Sequence, residues 1–313
     1  MFLAPLRLLI LNFSMLFKFK GKSKGVNGNR KAGSEDRRKS GHWHFTSALA
    51  ALILVSGCTS TGWKREKVVV DGHHTGATVE TRKVAREAYL FAQLSENAYG
   101  PFKQEAKRGK NVREEYKLPS YISERKPMHD TPRTGFSARV YDLIEPGKEP
   151  YVIVAFRGTN FTSPADWFLG NIFNTQYKQG LRIVRDLKQQ GSKVRVTGHS
   201  LGGGIATWVS LQEENVPAFG FNASHRLTRG RAVDNYRLMV SQYGEIGVAF
   251  RRVFRNPSGK YRTIPFVDGG PLGRHSMRSL ADGLTSIAAA DGDPVAVKSV
   301  EDNKIESKFP LVR

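Results

Sequence analysis

The feature that most narrows what this chain can fold into is a five-residue joint, Gly198-His199-Ser200-Leu201-Gly202. The residues before it, Val194-Arg195-Val196-Thr197, read as a short strand, and the apolar run over residues 201–213 reads as a helix. A strand that turns straight into a helix passes too close to it for a Cβ at either side of the joint, which is why glycine stands at 198 and 202. Ser200 is then held at the tip of the turn, at a helix N-terminus. There the amide of Leu201 and the helix dipole can stabilise a developing negative charge. The pentapeptide alone is a weak signal, because Gly and Ser are common; its place between strand and helix gives it weight.

Alternating elements surround the joint. Apolar positions Val84, Ala88, Leu90, Phe91, Leu94 and Ala98 recur at helical spacing, so an amphipathic helix is expected over 83–98. Residues 100–135 are charged and proline-punctuated, and irregular structure is expected there. Strands are expected over 138–143 and 151–156, forming a hairpin across Glu145-Pro146-Gly147. A helix over 179–190, strands over 193–197, 217–221 and 236–243, a helix over 246–254 and a last strand over 261–267 complete the pattern. Strands that alternate with helices imply an α/β class with a mainly parallel sheet covered on both faces.

A serine nucleophile needs a base and an acid, and in strand-turn-helix sites of this kind the chain order is serine, acid, histidine. Of eight histidines, only His225 and His275 lie beyond the joint. His225 follows the strand at 217–221 directly, with no further strand to carry an acid before it, so His275 is the candidate base. The carboxylates between Ser200 and His275 are Glu213, Glu214, Asp234, Glu245 and Asp268. Catalytic loops sit at the carboxyl ends of parallel strands, which assigns Glu213, Glu214 and Asp234 to the opposite edge. Glu245 directly follows a strand and is the preferred acid, with Asp268 in reserve. The alternative for Glu245 is a helix-start carboxylate facing the dipole. A second oxyanion donor is expected after the strand at 151–156, where Phe156-Arg157-Gly158-Thr159 offers the amide and hydroxyl of Thr159. Trp167, Phe168, Leu169, Ile172 and Phe173 downstream form either core or an apolar lid.

The amino-terminal part has a different character. Residues 1–57 hold ten Lys/Arg and two Asp/Glu, eight of the chain's net +21 charges. Arg37, Arg38 and Lys39 precede an apolar run over 45–55 that closes on Ser56-Gly57-Cys58, the order of an export signal. The run is short for a membrane span. Leu54-Val55-Ser56-Gly57-Cys58 also resembles a bacterial lipobox, whose cysteine is lipidated, and Cys58 is the single cysteine. An uncleaved anchor is the alternative. A second apolar stretch over 1–17 is either another membrane segment or a sign that the genuine signal starts near residue 30 to 40; the latter is the expectation. Three regions follow: 1–58 as signal region, 59–80 as a polar tether, and 81–313 as the folded body. With one cysteine, neither an intrachain disulfide nor a cysteine-based metal cluster can form. The basic excess would draw the chain to anionic surfaces. No nucleic-acid motif accompanies it, so nucleic acid is not an expected partner.

These residues resemble the class 3, fungal-type lipases of the α/β-hydrolase fold, over roughly residues 85–280. Val154-Ala155-Phe156-Arg157-Gly158-Thr159 with Asp166-Trp167 resembles the family's oxyanion segment, and residues 196–206 resemble its elbow. The resemblance implies Ser200 as nucleophile, Thr159 as oxyanion residue and His275 as base, acting on lipid or other esters without metal or organic cofactor. The chain departs from the family at the acid, where Tyr243-Gly244-Glu245-Ile246 stands in place of an aspartate shortly followed by proline. The expectation is a lipase, phospholipase or esterase held at the bacterial cell envelope by a lipid anchor on Cys58. The rival is a catalytically silent binding protein that keeps the fold. Oligomeric state is not legible.

Overall fold

A computed structural model describes residues 77–100, 114–131, 134–158, 170–224, 233–242, 260–264 and 273–306, all within the unit Ser60–Arg313. Residues 59–76 of the tether, Cys58 and both amino-terminal apolar runs lie outside the described residues, and the tether's expected end at 80 is overrun by a helix that begins at Val79. Among the described residues, no helix is long and apolar enough to cross a membrane.

Helix α1 (Val79–Asn97) begins where Thr78, in extended conformation, accepts the amide of Thr81 at 3.1 Å. That cap sets its start four residues ahead of the sequence expectation. Three strands then form an antiparallel ribbon: β1 (Ile122–Thr131), β2 (Phe136–Leu143) and β3 (Tyr151–Phe156). The expected hairpin is β2 and β3. Strand β1 corrects the expectation of irregular structure over 100–135. Its sequence, ISERKPMHDT, shows little apolar alternation because β1 is an edge strand whose ladder and ion pairs hold it instead. Arg125 Nε donates to Asp142 at 2.8 Å, and Glu124 pairs with Arg139 at 3.3 Å. The register shifts between Arg125 and His129, around Pro127, a residue type with no backbone N–H to give to the ladder.

Helix α2 (Gly170–Gln189) starts nine residues before its expected place, so part of the apolar stretch after Thr159 is helical; residues 159–169 lie outside the described set. Strand β4 (Val194–His199) and helix α3 (Leu201–Gln212) form the predicted joint. Strands β5 (Ala218–Phe221), β6 (Arg237–Gln242) and β7 (Lys260–Ile264) follow, and β3 to β7 pair in parallel. The seven strands lie in sequence order. The helix expected over 246–254 falls outside the described residues. After a 3₁₀ turn (Gly273–His275) come α4 (Met277–Ala290) and α5 (Pro294–Asp302), beyond the last element expected from the sequence.

The sheet divides the core in two, as its mainly parallel character requires. Along β3, Ile153 and Ala155 face one cluster, with α1, α4 and α5; Val152, Val154 and Phe156 face the other, with α2 and α3. On the first face Phe91 of α1 stacks on Phe219 of β5, ring centroids 3.7 Å apart. Burying each such aromatic or aliphatic side chain contributes about 1.5–3 kcal/mol. The result for function is that α1 lies across the sheet with its carboxyl end over the end of β4. There Ser95 and Thr197 hydroxyls meet at 2.8 Å.

Candidate active site

Ser200 sits between β4 and α3 at φ 55° and ψ −120°, a conformation that non-glycine residues rarely adopt. Its surroundings leave it no alternative. A Cβ at Gly202 would strike the carbonyl of Phe156 at the end of β3, and one at Gly198 would strike the backbone of Gly202. The Ser200 amide donates to Phe221 O at 3.0 Å, and its carbonyl accepts from Gly204 at 3.1 Å and Ser224 at 2.8 Å. The bond from Gly204 is the first of the helix, so the amides of residues 201–203, Leu201 included, lie ahead of the ladder. Ser200 offers no side-chain cap to them. Its hydroxyl is engaged elsewhere.

That partner is His275, whose Nε2 lies 3.0 Å from Ser200 Oγ across 75 residues of sequence. The base is held from three sides. Asn222 at the end of β5, fully buried and at φ 42°, donates from Nδ2 to Arg274 O at 3.2 Å. His199 Nε2 lies 2.7 Å from the His275 carbonyl oxygen. Ser276 caps α4 by accepting the Ser279 amide at 3.3 Å. The turn that carries the base is thus tied to the strand end, the elbow and the next helix.

Of the predicted site residues, the structure brings together Ser200, Leu201 and His275. Thr159, Glu245 and Asp268 lie outside the described residues. The segment leading to Thr159 does pass the nucleophile, since a Cβ on Gly158 would stand 3.2 Å from Ser200 Cβ. Strands β6 and β7 end side by side at Gln242 and Ile264, at the carboxyl edge of the sheet. The rejected carboxylates fall as expected. Glu213 follows the far end of α3, where it pairs with Arg185 at 2.5 Å and Lys188 at 3.4 Å. Sequence reasoning missed Asn222, Tyr99 and the part played by His199, because nothing local marks a side chain whose partner lies 52 to 100 residues away.

The model of a Tle-like phospholipase domain matches residues 90–236, a span that holds the elbow and the segment around Thr159. Among solved structures, the lipase from Rhizopus microsporus var. chinensis is similar at 18% identity and a TM-score of 0.40, over 62% of this chain and 77% of that one. The Rhizomucor miehei lipase in its propeptide complex is similar at 16% identity and a TM-score of 0.40, over 64% and 77%. None of the curated proteins matches the chain. The phospholipase-like match over residues 90–236, with the Ser200 and His275 pair on the mainly parallel sheet, supports a lipid ester hydrolase.

Proposed function

We propose that the chain is a serine hydrolase that cleaves acyl esters of lipids, phospholipids foremost, through Ser200, His275 and an acid from the carboxyl edge. The observation that carries this reading is the 3.0 Å approach of His275 Nε2 to Ser200 Oγ on a strained turn at a helix N-terminus. The Ser200 hydroxyl donates to His275 Nε2 and passes its proton there as Oγ attacks the ester carbonyl. The amides of Leu201 and Thr159 receive the oxyanion. His275 then protonates the departing alcohol, leaving an acyl-enzyme. A water gives its proton to His275 and attacks the acyl carbon, and the acid product leaves as Ser200 regains its proton.

Glu245 is our choice for the acid, three residues beyond the end of β6, and Asp268 is the reserve. Either would hold the His275 ring with Nδ1 protonated, keeping Nε2 free to accept. The phospholipase-like match favours a phospholipid over other esters. A lipid anchor on Cys58 would place the enzyme at the cell envelope, against its substrate.

The test is hydrolysis by the full chain in detergent, across short-chain and long-chain p-nitrophenyl esters and a phospholipid, beside Ser200→Ala. The expected result is activity and fluorophosphonate labelling that the substitution abolishes. Equal inertness of both folded proteins, with no labelling, would establish instead a binding protein on a hydrolase fold.

A further inference from the structure

The elbow residue before the nucleophile is a histidine whose two ring nitrogens are both engaged. Tyr99 Oη lies 2.7 Å from His199 Nδ1, and His199 Nε2 lies 2.7 Å from the carbonyl oxygen of His275. The chemistry of the last atom fixes the direction of the whole chain. A carbonyl oxygen can only accept, so His199 Nε2 must carry a proton and donate; in a neutral ring Nδ1 then accepts, and the tyrosine hydroxyl donates. Tyr99 thereby selects the tautomer that can grip the turn carrying the base. The rings of His199 and His275 also lie against each other, centroids 4.8 Å apart.

The fold puts Tyr99 there for reasons already given. Helix α1 is anchored on β4 by the Ser95 and Thr197 hydroxyls, and Tyr99, four residues after Ser95, reaches His199, two residues after Thr197. The helix and the strand reach the site together. His199 is itself 5% exposed, so its two bonds are sheltered from water competition. Gly158 completes the arrangement: a Cβ there would collide with the Tyr99 hydroxyl and come 2.6 Å from His199 O. The glycine before Thr159 is therefore packed against the same pair that holds the base.

Building on the serine hydrolase reading above, we infer that Tyr99 and His199 are positioning residues for catalysis. By clamping the His275 carbonyl, they hold the His275 ring at hydrogen-bond distance from Ser200, and by lying against Gly158 they set the oxyanion segment beside it. They touch no reacting atom. Their effect is to shorten the search of Ser200 and His275 for the geometry of attack.

Three variants and one spectrum test this. Long-range proton–nitrogen correlation spectra of the full chain report the tautomer of each histidine, and the His199 signal is the one missing from His199→Gln. The expected state of His199 is neutral with the proton on Nε2. His199→Phe keeps a ring of similar size without a donor, and is expected to lower kcat about 10- to 100-fold, with KM within about two-fold. Labelling by a fluorophosphonate should slow by a similar factor. His199→Gln places an amide N–H where Nε2 stood and should recover most of the lost kcat. Tyr99→Phe should give a smaller loss and a mixture of His199 tautomers. A proton on Nδ1 in the wild type, or a Gln variant no better than Phe at unchanged Tm, overturns the inference. Should His199→Phe fail to fold, Tyr99→Phe and His199→Gln decide it: wild-type kcat and a single tautomer in Tyr99→Phe count against it. A wild type that is neither labelled nor active sinks the hydrolase reading itself; a labelled, active wild type with these variants unaffected sinks only the positioning role.

Discussion

At its amino end α3 holds Ser200 at φ 55° with no side-chain cap and the amides of 201–203 ahead of the helical ladder. At its carboxyl end the exposed helical carbonyls are met one after another. Glu213 N–H donates to Val209 O at 3.0 Å, and Val233 N–H donates to Leu211 O at 3.2 Å. Asn235 Nδ2 and Arg237 Nη1 both reach Ser210 O, at 2.7 and 3.0 Å. Arg237 is 1% exposed and also donates to Val233 O at 2.8 Å. A cation at the negative end of the helix dipole is favourable, as an anion is at the positive end. The carboxyl end is thus built for stability. The amino end keeps donors and strain in reserve for an oxyanion, and an α3 so secured at one end can tolerate that at the other.

The comparison breaks hardest at Ser200. Replacing it with glycine removes the nucleophile and should lower kcat by about 10⁴- to 10⁶-fold. The same change relieves a backbone conformation that costs a non-glycine residue about 1–3 kcal/mol, against about 0.5–1 kcal/mol of extra unfolded-state entropy for glycine. Ser200→Gly should therefore be inactive and more stable than wild type by about 1 kcal/mol in chemical denaturation. A less stable variant would mean that the amino end holds no strain, and that the contrast with the carboxyl end lies in hydrogen bonding alone.

The opposite pattern is expected at Arg237. Arg237→Met keeps an apolar stem of similar length but removes the guanidinium from Ser210 O, Ser210 Oγ and Val233 O. Charged-donor bonds of this kind contribute about 1.5–3 kcal/mol, so a loss of about 2–3 kcal/mol is expected in denaturant midpoints. The specific activity of the folded protein should stay within about two-fold. A fall in kcat matching that of the elbow variants would show that the two ends are coupled along the helix.

The two ends also differ in how much of them the sequence discloses. Gly198 and Gly202 mark the elbow because the steric need is local, within a residue or two of the serine. His275 could be chosen by chain order, since few histidines follow the elbow. The core strands were legible because Val152 to Phe156 alternate between two buried faces. Edge strand β1 was not, because its pairing with β2 and its bonds from Arg125 and Glu124 are tertiary. The same holds for Asn222, Tyr99, Asn235 and Arg237. Each is an ordinary polar residue in sequence, and acquires its role only when the sheet brings a distant carbonyl or ring to it.

The smallest effect should come from Glu213, just past the end of α3. Its carboxylate pairs with Arg185 and Lys188, whose side chains are 55% and 30% exposed, so solvent and salt screen both interactions. Pairs of this kind are worth about 0.2–1 kcal/mol. Against that gain stands the negative helix end itself, which disfavours an anion by about 0.3–1 kcal/mol. The two effects nearly cancel, and Glu213→Gln should change stability by no more than about 0.5 kcal/mol at low salt. The difference should shrink further as salt is raised, because both opposing terms are screened. Denaturant curves at low and high ionic strength measure this directly. A loss above about 1.5 kcal/mol that persists at high salt would place the anchoring of the carboxyl end in the Glu213 ion pairs rather than in the buried donors of Asn235 and Arg237.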